Sequence, residues 1–196
     1  MKNNKSLYLV TVAFFGLAFV NIHFSILGIL CMTLPFVLLV RDKKKTWCQG
    51  YCPRASLFST VGGKWGKKGR RIPKSFLKGD LNPYVLGYFG IALFITVMST
   101  LRVAIGSMSA VLYPRFLIFL PLAVDFPQLI ELTGTAPWVT HLSYRLFSMM
   151  MTTTVLGLAL SYLYKPRAWC TVCPINTLSG IYIMEGKKRK ADTKAL

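Results

Sequence analysis

Two short cysteine pairs, each followed directly by a proline, are the residues in this chain whose spacing best suits chemistry. The first reads Trp-Cys-Gln-Gly-Tyr-Cys-Pro at residues 47–53, and the second reads Trp-Cys-Thr-Val-Cys-Pro at residues 169–174. Four thiolates in two such pairs can hold a tetrahedral zinc ion or a [4Fe–4S] cluster. The sequence therefore predicts a metal site with the ligands Cys48, Cys52, Cys170 and Cys173.

The two motifs align as an internal repeat, because a Ser-Leu or Thr-Leu pair also follows each Cys-Pro after two residues. We expect two related halves that each supply two ligands. Pro53 and Pro174 predict the first position of a helix, so that each helix N-terminus directs unpaired N–H groups and positive dipole at the site. Arg54 would add positive charge, and Trp47 and Trp169 would shield the site.

The spacing of the cysteine pairs also fits sites other than an iron–sulfur cluster. Structural zinc uses pairs of the same spacing, and a four-helix membrane thiol–disulfide relay also uses paired cysteines. Disulfides need an oxidising compartment, and plain packing cysteines would not repeat together with tryptophan and proline. The proline after each pair favours an iron–sulfur cluster.

The elements that must position these cysteines are apolar. The chain has 196 residues, 54% of them hydrophobic, with a mean hydropathy of +0.49 and with 24 Lys and Arg against 6 Asp and Glu. The basic residues cluster between long apolar runs, which is not the pattern of a nucleic-acid-binding domain. We predict an all-α integral membrane protein with two helical hairpins and a short cytoplasmic helix after each Cys-Pro motif. The four expected spans cover about residues 7–21, 24–40, 84–102 and 144–164.

Charge placement orients these spans. Twenty-one Lys and Arg lie at the N-terminus, in residues 41–78 and after residue 164, whereas three lie on the other side, at Arg102, Arg115 and Arg145. The positive-inside rule then predicts a bacterial inner-membrane protein with both termini and both cysteine pairs on the cytoplasmic side. Residues 1–186 would form the membrane domain and residues 187–196 a basic tail. Residues 111–124 are too short for a crossing and predict an interfacial or re-entrant segment.

The two histidines, His23 and His141, fall near the opposite, extracytoplasmic ends of the predicted spans. One hypothesis gives them a quinone site or a bis-histidine haem, and the other gives them local hydrogen bonds. Haem is the less favoured cofactor, because it requires the two spans to be adjacent.

At its cysteine motifs the chain resembles the NapH/NosR-type membrane ferredoxins over residues 1–186. The resemblance rests on Cys48, Cys52-Pro53, Cys170 and Cys173-Pro174. It implies electron transfer between the quinone pool or cytoplasmic donors and extracytoplasmic reductases or flavoproteins. The chain departs from the family in the two-residue spacing of its second pair and in the absence of a polyferredoxin extension.

We therefore expect an electron-transfer subunit with one cytoplasm-facing [4Fe–4S] cluster, embedded in membrane lipid and without a nucleic-acid partner. Its basic face would attract an acidic ferredoxin, flavodoxin or oxidoreductase. A hydrocarbon core of about 30 Å is too thick for one surface cluster to bridge, so a quinone or partner subunit in a hetero-complex or oligomer would complete the path. No nucleophile–base arrangement indicates a stand-alone enzyme. The alternative functions are an iron–sulfur or zinc assembly or redox-sensor protein and a thiol–disulfide relay.

Overall fold

The protein is mostly helical in the computed structural model, which describes residues 5–65, 72, 76, 78–117, 119–121, 128 and 134–195. Side chains are described for these residues except 5, 64, 65 and 189–195. The α-helices of the described part are α1 (Tyr8–Val20), α2 (Leu27–Asp42), α3 (Pro53–Trp65), α4 (Asn82–Ala104), α5 (Pro137–Leu163), α6 (Ala168–Val172) and α7 (Pro174–Ala195).

Three helical segments are long and apolar enough to cross a membrane, namely Ile22–Asp42, Asn82–Ala104 and Pro137–Leu163. They suggest a membrane protein. The apolar helix α1 has 13 residues, which is about 20 Å of helix against a hydrocarbon core of about 30 Å. The prediction of four spans in two hairpins therefore stays a prediction. The last span begins at Pro137, seven residues earlier than predicted, because this proline occupies the first turn of α5.

The chain turns between α1 and α2 at Asn21, whose extended backbone ends α1. The Asn21 side chain accepts a hydrogen bond of 2.9 Å from the backbone N–H of His23 and so begins the 3₁₀ turn Ile22–Ile26. After this turn, α1 packs mainly against α3, whereas α2 contacts the turn Trp47–Tyr51 and α5.

Helix α3 packs between α1 and the C-terminal half of α5. The Phe58 ring is 2% exposed and covers Gly157, where a Cβ atom would collide with the ring. One turn further along both helices, a Cβ on Gly62 would lie 3.1 Å from the Ser161 carbonyl oxygen. Both helices advance four residues between these contacts, so α3 runs parallel to the second half of α5.

The segment after α4 descends along α5. The N–H groups of Val111, Arg115 and Leu117 donate in turn to His141 Nδ1 (3.0 Å), Ser148 Oγ (2.9 Å) and Thr152 Oγ1 (3.3 Å). A short antiparallel hairpin of β1 (Arg115–Phe116) and β2 (Leu120–Pro121) then turns the chain back. The described part of residues 111–124, called the re-entrant segment below, thus runs back along α5, and its position in the membrane stays a prediction; residues 118 and 122–124 lie outside the described residues.

Candidate metal centre

The first cysteine pair lies on one turn of π-helix, Trp47–Tyr51. The Cys52 N–H donates to the Trp47 carbonyl oxygen at 3.0 Å, which is the i to i+5 bond of such a turn. Cys52 itself is extended, with φ −70° and ψ 110°, and Pro53 opens α3. The predicted start of a helix at this proline is confirmed.

The second pair lies on the short helix α6. It begins after Arg167, which has a left-handed φ of 66°, and the Cys170 N–H donates to the Arg167 carbonyl oxygen at 2.9 Å. Cys173 is extended, with φ −60° and ψ 128°, and Pro174 opens α7 as predicted. Helix α7 has 22 residues and extends into the basic tail, so it is longer than the short helix that the sequence predicts.

The two pairs meet although 117 residues separate Cys52 from Cys170 on the chain. Burial, followed by the neighbouring thiols of Cys173 and Cys52, raises the pKa of Cys48 to about 11. Burial, followed by Cys52 and Cys173, raises the pKa of Cys170 to about 12. Thiols of each half therefore lie within electrostatic range of thiols of the other half.

This donor set suits an iron–sulfur cluster. Cys52 and Cys173 directly precede the N-termini of α3 and α7, the two pairs lie within electrostatic range of each other, and cluster irons in proteins are held by thiolates. Among the described residues, no group of three or more His, Cys, Asp or Glu is arranged to hold a metal ion. The four thiolates of a [4Fe–4S] cubane lie farther apart than the ligands of one metal ion, because each thiolate binds a separate iron atom.

Lys45 and Asn176 connect the two halves beside the cysteines. The Lys45 Nζ donates to Asn176 Oδ1 at 3.0 Å, and the Asn176 Nδ2 donates to the Cys170 carbonyl oxygen at 2.9 Å. Lys45 also favours the ionised form of Cys48. The sequence did not indicate either residue, because the contact joins positions 131 residues apart.

Two arginines make similar cross-connections. Arg54 Nη1 donates to Thr153 Oγ1 at 2.7 Å and places its positive charge near Cys173. Arg167 Nε donates to Ser59 Oγ at 2.7 Å and acts on Cys170. These cations oppose the negative charge that four thiolates bring together, which is the role predicted for Arg54.

The two predicted tryptophans flank the site on different sides. Trp47 and Pro53 line a cavity of about 400 Å³ that α1 and α2 border, together with Arg54. Trp169 and Pro174 line a cavity of about 180 Å³ that α4 and α5 border. The shielding that the sequence predicts for Trp47 and Trp169 stays a prediction.

A fifth cysteine, Cys31 of α2, lies within electrostatic range of Cys52 and Arg54. The sequence places it inside an apolar run and predicts a packing role. None of the five cysteines forms a disulfide. Cys31 is therefore a natural comparison residue for the four predicted ligands.

Both histidines make protein hydrogen bonds through both ring nitrogens. His23 contacts Asn21 Oδ1 at 2.7 Å and Thr140 Oγ1 at 3.1 Å. His141 is fully buried, accepts from the Val111 N–H and contacts Ser99 Oγ at 3.0 Å. These contacts tie the α1–α2 turn and the re-entrant segment to α5. A quinone or haem at these histidines stays a prediction.

Comparison with known proteins adds a chemical assignment to this geometry. The family model of a 4Fe-4S binding domain matches residues 24–73 and residues 147–191. No curated protein and no solved structure matches the chain. Each matched segment contains one cysteine pair and all or most of the helix that follows it. The chain is thus similar to a 4Fe-4S binding domain at both halves of the site, which supports an iron–sulfur protein of the ferredoxin type.

Proposed function

We propose that the protein is an electron-transfer subunit of a bacterial inner membrane, with both termini in the cytoplasm. In this proposal Cys48, Cys52, Cys170 and Cys173 hold one [4Fe–4S] cluster that faces the cytoplasmic side. The observation that carries the proposal is the convergence of both cysteine pairs, each at a helix N-terminus and each inside a segment that matches a 4Fe-4S binding domain.

When bound, such a cluster accepts and releases one electron at a time. The chain supplies the conditions for this exchange. Lys45, Arg54 and Arg167 place positive charge around the thiolates, and the N-termini of α3 and α7 add their dipoles. These charges stabilise the additional negative charge of the reduced state.

The partners follow from charge and from the cavities. The 21 Lys and Arg that the sequence assigns to the cytoplasmic side favour an acidic soluble protein of the ferredoxin or flavodoxin kind, or an oxidoreductase in a hetero-complex. The cavity of about 400 Å³ beside Trp47 and Arg54 has apolar walls from α1 and α2, which supports a quinone as an alternative donor. The finer resemblance to NapH/NosR-type membrane ferredoxins is part of the same proposal.

Anaerobic purification followed by iron and sulfide analysis and EPR of the reduced protein tests this function. We expect about four irons per chain, as a [4Fe–4S] cluster requires. The Cys170→Ala variant should lose the cluster, and the matched Cys31→Ala variant should retain it. A zinc-containing or redox-silent protein would instead indicate an assembly or sensor role. Cysteines that react with alkylating agents without chelation would indicate a thiol–disulfide relay.

A further inference from the structure

The second cysteine pair lies beside the midpoints of two candidate spans. Cys173 lines a small cavity together with Met32, Met149 and Met150. Met32 is the central residue of the segment Ile22–Asp42, and Met150 is the central residue of Pro137–Leu163. A cysteine at the membrane surface would instead contact the ends of these helices.

The first pair lies at the same level of α5. Arg54, two residues after Cys52, donates to Thr153, which lies three residues beyond the midpoint of α5. From the opposite end of α5, the re-entrant segment reaches this level as well, because the Leu117 N–H bonds to Thr152. The middle of α5 is therefore approached from both ends of the molecule.

The length of helix between each cysteine pair and the next charged residue indicates how far the site lies from the membrane surface. After Arg54, the first charged residue of α3 is Lys64, and the first charged residue of α7 is Glu185. Each lies twelve residues beyond its cysteine, Cys52 or Cys173, which corresponds to about 18 Å of helix. Half of a hydrocarbon core is about 15 Å. Two independent helices thus give the same distance between the site and their charged ends.

Two cations lie closer to the site than these charged ends. Lys45 extends its side chain to Asn176, one turn into α7, and Arg167 extends to Ser59, two turns into α3. Charged side chains inside a membrane are costly unless they are paired or reach water. Their hydrogen bonds mark a polar approach from the basic end of the molecule to the cysteines.

We infer that the cysteine site lies near the middle of the hydrocarbon core, below the basic face and not at it, and that it faces the cytoplasmic side only through the polar approach at Lys45 and Arg167. The inference rests on the proposed function, because it concerns the cluster that these cysteines would hold. A single cluster at this depth is about 15 Å from each surface instead of about 30 Å from one of them. It can take one electron from a one-electron donor protein at the basic face and give it to a one-electron acceptor at the opposite face. This path needs no second cofactor in the chain.

Relaxation enhancement in proteoliposomes measures the depth. The full chain is reconstituted with its cluster in a Cys31→Ala background, with a nitroxide on a Lys187→Cys variant as the surface reference. A water-soluble dysprosium complex is then added to one side of the vesicles and, in a second sample, to the other. We expect strong relaxation enhancement of the nitroxide from its own side, read before any reductant is added because reductants convert the nitroxide to an EPR-silent hydroxylamine. In matched samples that are then reduced, we expect little enhancement of the cluster from either side.

A second readout uses ferricyanide trapped inside the vesicles, dithionite outside and an ionophore that dissipates the membrane potential. Each electron that leaves dithionite passes through the cluster and reduces one ferricyanide to ferrocyanide. We expect this reduction in cluster-containing vesicles and its loss in the Cys173→Ala variant.

The outcomes separate this inference from the proposed function. An intact cluster that relaxes as strongly as the nitroxide from the basic side, or that transfers no electrons to ferricyanide, overturns the deep location and leaves the electron-transfer function standing. A protein without iron, sulfide or an EPR signal overturns both.

Discussion

The two halves of the site share a tryptophan, two cysteines, a proline and a leucine in the same order, but they form their turns differently. Three residues separate the cysteines of the first pair and two separate those of the second. The extra residue is accommodated by a π-helical turn at Trp47–Tyr51, whereas the second pair lies on the α-helical turn α6. Cys52 and Cys173 then adopt nearly the same extended backbone before proline. The backbone thus absorbs a change of spacing and preserves the position of the ligand at the helix N-terminus.

The halves also differ in how their helices pack. The first turns of α3 contain Ala55, Ser56 and Phe58, all nearly inaccessible, because α1 and α5 enclose this helix. Helix α7 buries fewer residues, such as Ile175 and Ser179, against α4 and α6. The helix after the first motif therefore belongs to the core of the protein, whereas the helix after the second motif lies at its periphery.

The largest effect that we predict concerns the reactivity of the thiols, and it tests whether the two cysteine pairs lie in one buried site. In the cluster-free protein at pH 8, Cys48 should react with iodoacetamide about 100-fold and Cys170 about 1000-fold more slowly than an ordinary thiol, because the thiolate reacts and its fraction is small at pKa values of about 11 and 12. Their rates should rise about tenfold per pH unit up to pH 10. Mass spectrometry of the alkylated peptides measures both rates. A rate that levels off near pH 9 in one half would show that the pairs do not share a buried site.

The second prediction concerns the packing difference. A Gly157→Ala substitution places a methyl group against the Phe58 ring and should destabilise the protein by about 1–3 kcal/mol. Gly180→Ala is the matched change in the second half, where the new Cβ meets only the flexible end of Lys45, at 3.3 Å. It should stay within about 0.5 kcal/mol of the unmodified protein. Thermal unfolding in detergent compares the two, and equal losses would contradict the enclosed position of α3.

The third prediction compares the two arginines. Removing a unit charge worth about 2 kcal/mol at an effective dielectric of about 20 corresponds to about 90 mV for one electron. Arg54→Gln should therefore lower the reduction potential of the cluster by up to that amount, because the lost cation stabilised the reduced state. Arg167→Gln should cause a smaller shift, since Arg167 bonds to Ser59, two turns beyond the N-terminus of α3. Redox titration followed by EPR measures both shifts. A larger shift for Arg167→Gln would contradict the placement of Arg54 closer to the cluster than Arg167.

The structure confirms the predicted helix start at each proline and the predominance of helix, because these depend on residue types and short spacings, whereas the ligand set stays a prediction. The sequence does not predict the position of α3, since the contact of Phe58 with Gly157 joins residues 99 positions apart. Residues 111–117 carry Pro114 and Arg115, which exclude a crossing, but their descent depends on hydroxyl groups of α5. Long-range contacts of this kind leave no periodic signal in the chain.

The smallest predicted effect concerns the number of residues between the cysteines, which is three in the first pair and two in the second. Four residues of a π-helix, with about 4.4 residues per turn, rotate a side chain by about 330°, and three residues of an α-helix rotate it by about 300°. Cys48 and Cys170 therefore point in similar directions relative to Cys52 and Cys173.

Deleting Gly50, where no other group lies within 4 Å of an added Cβ, changes the first motif to the spacing of the second. If the π-turn only compensates for the extra residue, the deletion variant should form an α-turn and retain its iron, sulfide and EPR signal. A glycine inserted after Thr171 is the reciprocal change and should be tolerated only if α6 can widen into a π-turn. Loss of one ligand in the deletion variant, seen as a [3Fe–4S] signal in the oxidised protein, would show that the π-turn itself positions Cys48. The halves would then be equivalent in sequence pattern but not in geometry.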